Sequence, residues 1–116
     1  MTSAKHDSDT MAEIHPVMNH TKWEELRLAM YAIEPAPKYR CMTIAGYYSH
    51  AYSEWFYHFR EGGYKDLRYV DIFANNQLHR EQIRSALKKI HLAGEETEGG
   101  FRVYGYALPG QALDYL

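Results

Sequence analysis

Residues 67–94 read LRYVDIFANNQLHREQIRSALKKIHLAG. Leu67 to Phe73 predicts a strand, rich in the aromatic and β-branched side chains that suit a pleated surface. Asn75-Asn76 then offers an N-cap, because an asparagine side-chain oxygen accepts one of the backbone N–H groups left over at a helix start. Ile83, Ala86, Leu87 and Ile90 share one face of the helix that follows. Lys88, Lys89 and His91 stand in its last turn, where cations complement the helix dipole, and Gly94 is the expected residue beyond its C-terminus. A strand followed by a capped amphipathic helix sets the class as α+β.

Upstream, Gly62-Gly63 provides a tight reversal. Before it, Trp55 to Arg60 alternates Trp55, Tyr57 and Phe59 with Phe56, His58 and Arg60, the pattern of a strand with two distinct faces. Tyr39 to Ala45 is a further strand, leading into a tyrosine-rich loop or hairpin over Gly46 to Ser53. The first helix starts at Thr21-Lys22-Trp23-Glu24, which fits a capping box with Thr21 as the cap. Trp23, Leu26, Met30 and Ile33 recur at helical spacing, and Pro35 and Pro37 end the run. Downstream, the acidic stretch Glu95 to Gly100 reads as a connector and Phe101 to Tyr106 as the last strand. Pro109-Gly110 releases a tail in which Leu113, Tyr115 and Leu116 can dock on the body.

The expected layout is a disordered leader over 1–18, an α+β domain over 19–108 and a C-terminal tail over 109–116. Met11 and Met18 offer alternative starts. The element order is α-β-β-β-α-β, with an antiparallel or mixed sheet and the two helices on one face.

Composition narrows the function classes. The chain has 116 residues, 46% apolar and 24% charged, which suits one globular domain that needs no staple. Its one cysteine, Cys41, excludes an internal disulfide and a multi-thiolate zinc site. There is no apolar run of membrane-spanning length and no signal-peptide core, so a cytoplasmic setting without membrane contact is expected. Lys and Arg number 13 against 15 Asp and Glu. Residues 1–20 hold one of the former (Lys5) and three of the latter (Asp7, Asp9, Glu13), leaving twelve of each sign in the remainder. A neutral domain gains little from displacing counterions on phosphates, so a nucleic-acid partner is disfavoured.

The stretch Met18-Asn19-His20-Thr21-Lys22-Trp23-Glu24-Glu25-Leu26, with the aromatic run at Trp55 and the later Leu67-Arg68-Tyr69-Val70-Asp71-Ile72, resembles an uncharacterised family of small bacterial cytosolic proteins. Its members open Met-Asn-Asp-Thr-Lys-Trp and carry a later Ile-Glu-Trp-Leu-Glu-Ile strand. Asn19, Thr21, Lys22 and Trp23 match, His20 replaces the acid, and Arg68-Tyr69-Val70-Asp71 parallels the later motif. The resemblance spans roughly residues 17–73. It implies a bacterial cytosolic origin and transfers no activity.

Eleven tyrosines in 116 residues are more than a core needs. Tyrosine combines broad contact area with low entropy cost, which is why it anchors protein interfaces. Tyr47, Tyr48, Tyr52 and Tyr64 are the candidate partner-binding residues, with Glu95 and Glu96 as steering charges. Each also has an ordinary reading, as a packed ring or a solvated loop acid. His58, Tyr57, Asp71, Glu54 and His79 are the acid–base candidates for an enzyme, but no catalytic or metal motif joins them. No catalytic residue, metal or cofactor is therefore assigned. Cys41 reads as a packed thiol. Arg60, Lys65, Arg68 and Arg102, interleaved with Phe56, Tyr69, Phe101 and Tyr104, suggest base stacking, though the order of residues is not that of an RNA-recognition strand.

The expectation is a small cytoplasmic protein-binding domain. In size, compartment and surface chemistry it resembles the immunity proteins that bacteria co-produce with toxins. Its partner would then be a toxin with a basic cleft, blocked by the tyrosines. The alternative is a single-stranded nucleic-acid-binding domain using the aromatic sheet face. Homodimerisation by edge-strand pairing stays open.

Overall fold

A computed structural model describes residues 14–55 and 64–116. Its elements are β1 (His15–Pro16), α1 (His20–Tyr31), β2 (Lys38–Thr43), a 3-10 turn (Tyr64–Asp66), β3 (Leu67–Phe73), α2 (Gln77–Ile90), β4 (Gly94–Glu96), β5 (Gly100–Tyr104) and β6 (Tyr106–Ala107). β2, β3, β5 and β4 form, in that order, an antiparallel four-stranded sheet, while β1 and β6 make a separate short pair. The α+β class stands. Of the expected strand over Trp55 to Arg60 only Trp55 is among the described residues; the rest of it, and the Gly62-Gly63 reversal, lie outside them. That residue sits in a turn, fully buried, with its indole N–H on the Pro37 carbonyl at 2.7 Å.

Strand alternation divides the sheet into two faces. On one face Tyr39, Val70, Ile72, Phe101 and Val103 are buried with Trp23, Leu26 and Met30 of α1 and Ile83, Leu87 and Ile90 of α2. Both helices cover this face, as their apolar stripes require. Lys22 of α1 ties them together by donating to the carbonyl of Ile90 at 2.5 Å, at the C-terminus of α2. There a cation is favoured by the carbonyls that have no helical partner.

Local signals were shifted in three places. α1 is capped by Asn19, whose side-chain oxygen accepts the Lys22 N–H at 2.8 Å, and not by Thr21. Asparagine caps at least as well as threonine, and the earlier start leaves Glu24 to bind Arg27 one turn on. α2 begins after Asn76 as expected but ends at His91, which takes the left-handed conformation (φ 63°). Gly94 is not its terminal glycine. It opens β4, where a Cβ would strike the Arg102 carbonyl and the Leu116 side chain. The acidic stretch read as a connector is accordingly a β-hairpin, β4 to β5.

The ends of the chain also pack. Residues 14–18, expected in a leader, belong to the fold. β1 pairs with β6, Val17 donates to Gly105, and Met18 touches the core. Residues 1–13 lie outside the described residues. The tail docks as its apolar residues suggested, with Leu116 against the core, its N–H on the Leu92 carbonyl, and Tyr115 stacked on His91.

Candidate functional site

The face of the sheet opposite the helices carries a row of charges. Arg40 of β2 lies directly across from Asp71 of β3, Asp71 from Arg102 of β5, and Arg102 from Glu95 of β4. One residue from each of four strands thus makes a line running plus, minus, plus, minus. The adjacent row holds Met42, Tyr69 and Tyr104.

Contacts knit these side chains into one surface. Arg102 grips both carboxylate oxygens of Asp71, Nε at 2.7 Å and the terminal nitrogen at 3.1 Å. Its guanidinium lies 3.9 Å from the centre of the Tyr69 ring. Tyr48 reaches over from the loop after β2 and donates its hydroxyl to the second Asp71 oxygen at 2.5 Å. Arg40 donates to the Ser49 carbonyl at 2.7 Å and covers the Tyr48 ring at 4.0 Å. Tyr104 meets Tyr69 edge-on and donates to Glu95. Asp71 is buried under this network, while the arginines and tyrosines around it stay half-exposed.

The electrostatics follow from that packing. Burial, reinforced by the bond to Asp71, pushes the Tyr48 hydroxyl up to about 12, so it is a neutral donor at physiological pH. Tyr104 is raised by burial and then by Glu95. The Asp71 carboxylate holds Arg102 charged, above its ordinary range. Cys41, on the opposite side of β2, is pushed up to about 12 by burial, with the Asp71 charge second. It is a protonated, packed thiol, as the sequence suggested.

A second feature lies where α1 meets β6. A cavity of about 580 Å³ is lined by Met18, Asn19, His20, Trp23, Tyr64 and Gly105 among others. Its volume falls within the range of small-molecule pockets. Among the described residues no group of three or more His, Cys, Asp or Glu is placed to hold a metal ion. No described helix is long and apolar enough to cross a membrane.

Residues 6–110 match a family of unknown function, DUF6678. The chain belongs to this family. No curated protein and no solved structure matches it.

The DUF6678 domain does not gather the four candidate tyrosines in one place. Tyr48 joins the open face. Tyr47 is exposed at the turn next to it, with its N–H on the Thr43 hydroxyl. Tyr52 turns to the core side and tilts against Tyr39. Tyr64 stacks on Trp23 at 5.8 Å, donates to Glu24 and lines the cavity. The two steering acids separate as well, because adjacent strand residues point to opposite faces. Glu95 stays on the open face, whereas Glu96 turns toward α2 and is bound by Arg80 and Arg84.

Among the acid–base candidates, His79 is spent on structure. Its Nδ1 accepts the Asn75 N–H at 3.0 Å and its Nε2 donates to the Pro35 carbonyl at 2.8 Å. Tyr57 and His58 lie outside the described residues, as do Arg60 and Phe56 of the stacking set. Phe101 is fully buried under the helices and offers no stacking surface. Arg40 had not been singled out. Its signal was a charged residue in mid-strand between Tyr39 and Cys41, as with Asp71 between Val70 and Ile72 and Arg102 between Phe101 and Val103.

Proposed function

We propose that this chain is a cytoplasmic protein-binding domain that docks its partner on the open face of the four-stranded sheet. The observation that carries the reading is the row Arg40, Asp71, Arg102 and Glu95, set among Tyr48, Tyr69 and Tyr104. Tyrosine and arginine at the centre of a patch are among the residue types that carry most of the energy in protein interfaces. Asp71 and Arg102 already satisfy each other within the patch, which lowers the cost of covering them.

A nucleic-acid partner is less well served. Arg102 is committed to Asp71, and the row as a whole is neutral, so phosphates find little to bind. The inhibitor form of the reading, blocking a toxin's basic cleft, has Glu95 in its support but not Glu96, which Arg80 and Arg84 already neutralise.

Site-specific photo-cross-linking in the native cells tests the proposal. A photoreactive residue at Tyr104 should give a discrete protein adduct. The same residue at Leu78, 71% exposed on α2, should not. Equal labelling from both positions, or an adduct with nucleic acid at Tyr104, would overturn it.

A further inference from the structure

Reversed end for end, the row Arg40, Asp71, Arg102, Glu95 becomes minus, plus, minus, plus. A two-fold axis parallel to the strands, placed between β3 and β5, performs that reversal when two such faces are laid together. Arg40 then faces Glu95 of a second copy, Asp71 faces Arg102, and each relation holds again in the other direction. The same operation sets Tyr69 over Tyr104. Every position of the row is set over its opposite in charge, with Arg40 and Glu95 free to make contact across the axis and Asp71 buried beneath its own Arg102 and Tyr48, which is the self-complementarity that an isologous interface demands.

We propose that the open face binds a second copy of this chain, face to face, about such an axis. This rests on the protein-binding reading above and names its partner. Three observations support that choice of partner. First, the inner charges Asp71 and Arg102 pair within one copy, but among the described residues neither Arg40 nor Glu95 forms an ion pair. The two ends of the row carry the charges still to be matched, and the axis brings these ends together twice.

Second, addition of a copy at the sheet edges is obstructed. The outer side of β2 is taken by the returning chain, with Tyr39 and Tyr52 exchanging hydrogen bonds and Ser49 donating to Cys41. On the outer side of β4, Gly94 donates to Asp114 and Ala93 pairs with Tyr115. Edge pairing, the route to a dimer that the sequence left open, is thus largely closed, and the face is the sheet surface that remains. Third, the face is modest, roughly 19 Å across four strands and about 17 Å along β5. A patch of that size belongs with weak, concentration-dependent association rather than an obligate dimer.

Sedimentation equilibrium of the full chain, with charge reversals at the two ends of the row, tests the inference. The unaltered protein should move from monomer to dimer as its concentration rises. Arg40→Glu places acid against acid at both ends and should weaken the dimer by at least about tenfold, as should Glu95→Arg, which places base against base. An equimolar mixture of the two variants should recover dimer, because one copy then carries two acids and the other two bases. Thermal melting of each variant alone establishes that it is folded. A protein that remains monomeric at the highest attainable concentration overturns the inference. So does a dimer indifferent to both reversals, or a mixture that fails to recover. A monomer that still yields the adduct specific to Tyr104 removes this inference and leaves the docking reading standing. A monomer without that adduct removes both.

Discussion

Replacing Asp71 by alanine should destabilise the domain by about 2–3 kcal/mol, which is less than the usual loss for a fully buried ion pair. Asp71 is 7% exposed and accepts three hydrogen bonds, two from Arg102 and one from Tyr48. Removing one partner of a pair buried on both sides costs roughly 3–5 kcal/mol, because the other charge is left without compensation. Here the Arg102 side chain is 32% exposed and can regain water in part, which brings this share down to about 1–2 kcal/mol. The half-exposed Tyr48 hydroxyl loses its acceptor as well, at about 1 kcal/mol. For a domain of this size the total corresponds to a drop in Tm of roughly 8–15 °C. Asp71→Asn, which keeps the volume and one acceptor, should lose about half as much. Tyr48→Phe should cost about 1 kcal/mol alone and much less once Asp71 is alanine, since the two share one bond. Urea titrations with an unchanged slope would give these numbers. A loss below about 0.5 kcal/mol for Asp71→Ala, the size of an ordinary surface substitution, would refute the claim that this carboxylate organises the face.

Gly100→Ala should destabilise more than an ordinary glycine replacement, by about 2 kcal/mol or more in the same titration. Its Cβ would collide with the backbone carbonyl of Ile72 across the β3–β5 ladder, and neither strand can yield without breaking register. A neutral or stabilising result would mean that the two strands are not so closely apposed. In alkali, Cys41 and Tyr48 hold their protons up to about 12 in the folded chain, against ordinary values of 9.0 and 10.0. The unfolded chain therefore releases protons first, and stability present below pH 9 should fall progressively as pH rises toward 12. Melting temperatures across that range should show the decline beginning later in Cys41→Ala, and Cys41 should react with thiol reagents at pH 8 only when the chain unfolds.

Much of this fold was legible in sequence because its signals act over a few residues. The bounds of β3, the Asn76 cap and the inner faces of both helices follow from side chains that touch their own turn or strand. So does the docking of Leu116, an apolar residue with a core beside it. The displaced signals were those with a local competitor: Asn19 was as good a cap as Thr21, and His91 closed α2 before Gly94 was reached.

The candidate site was only half legible. The enrichment in tyrosine was plain, and of the residues singled out for partner binding Tyr48 and Glu95 stand on the open face. Tyr52 and Glu96 sat close to them in the chain and are directed elsewhere. Side chains one residue apart in a strand point to opposite faces, so nearness in sequence says little about a shared surface.

By itself, the sequence determined that this is an α+β domain with two amphipathic helices, strands of mixed aromatic and aliphatic character and a balanced charge. Only the tertiary structure decided that Arg40, Asp71, Arg102 and Glu95 stand in one line. That line depends on the register of three strand pairs whose members are separated by up to 35 residues. Register is set by which apolar residues meet beneath the helices on the other face, and a slip of one residue in any strand would send its charge to the core.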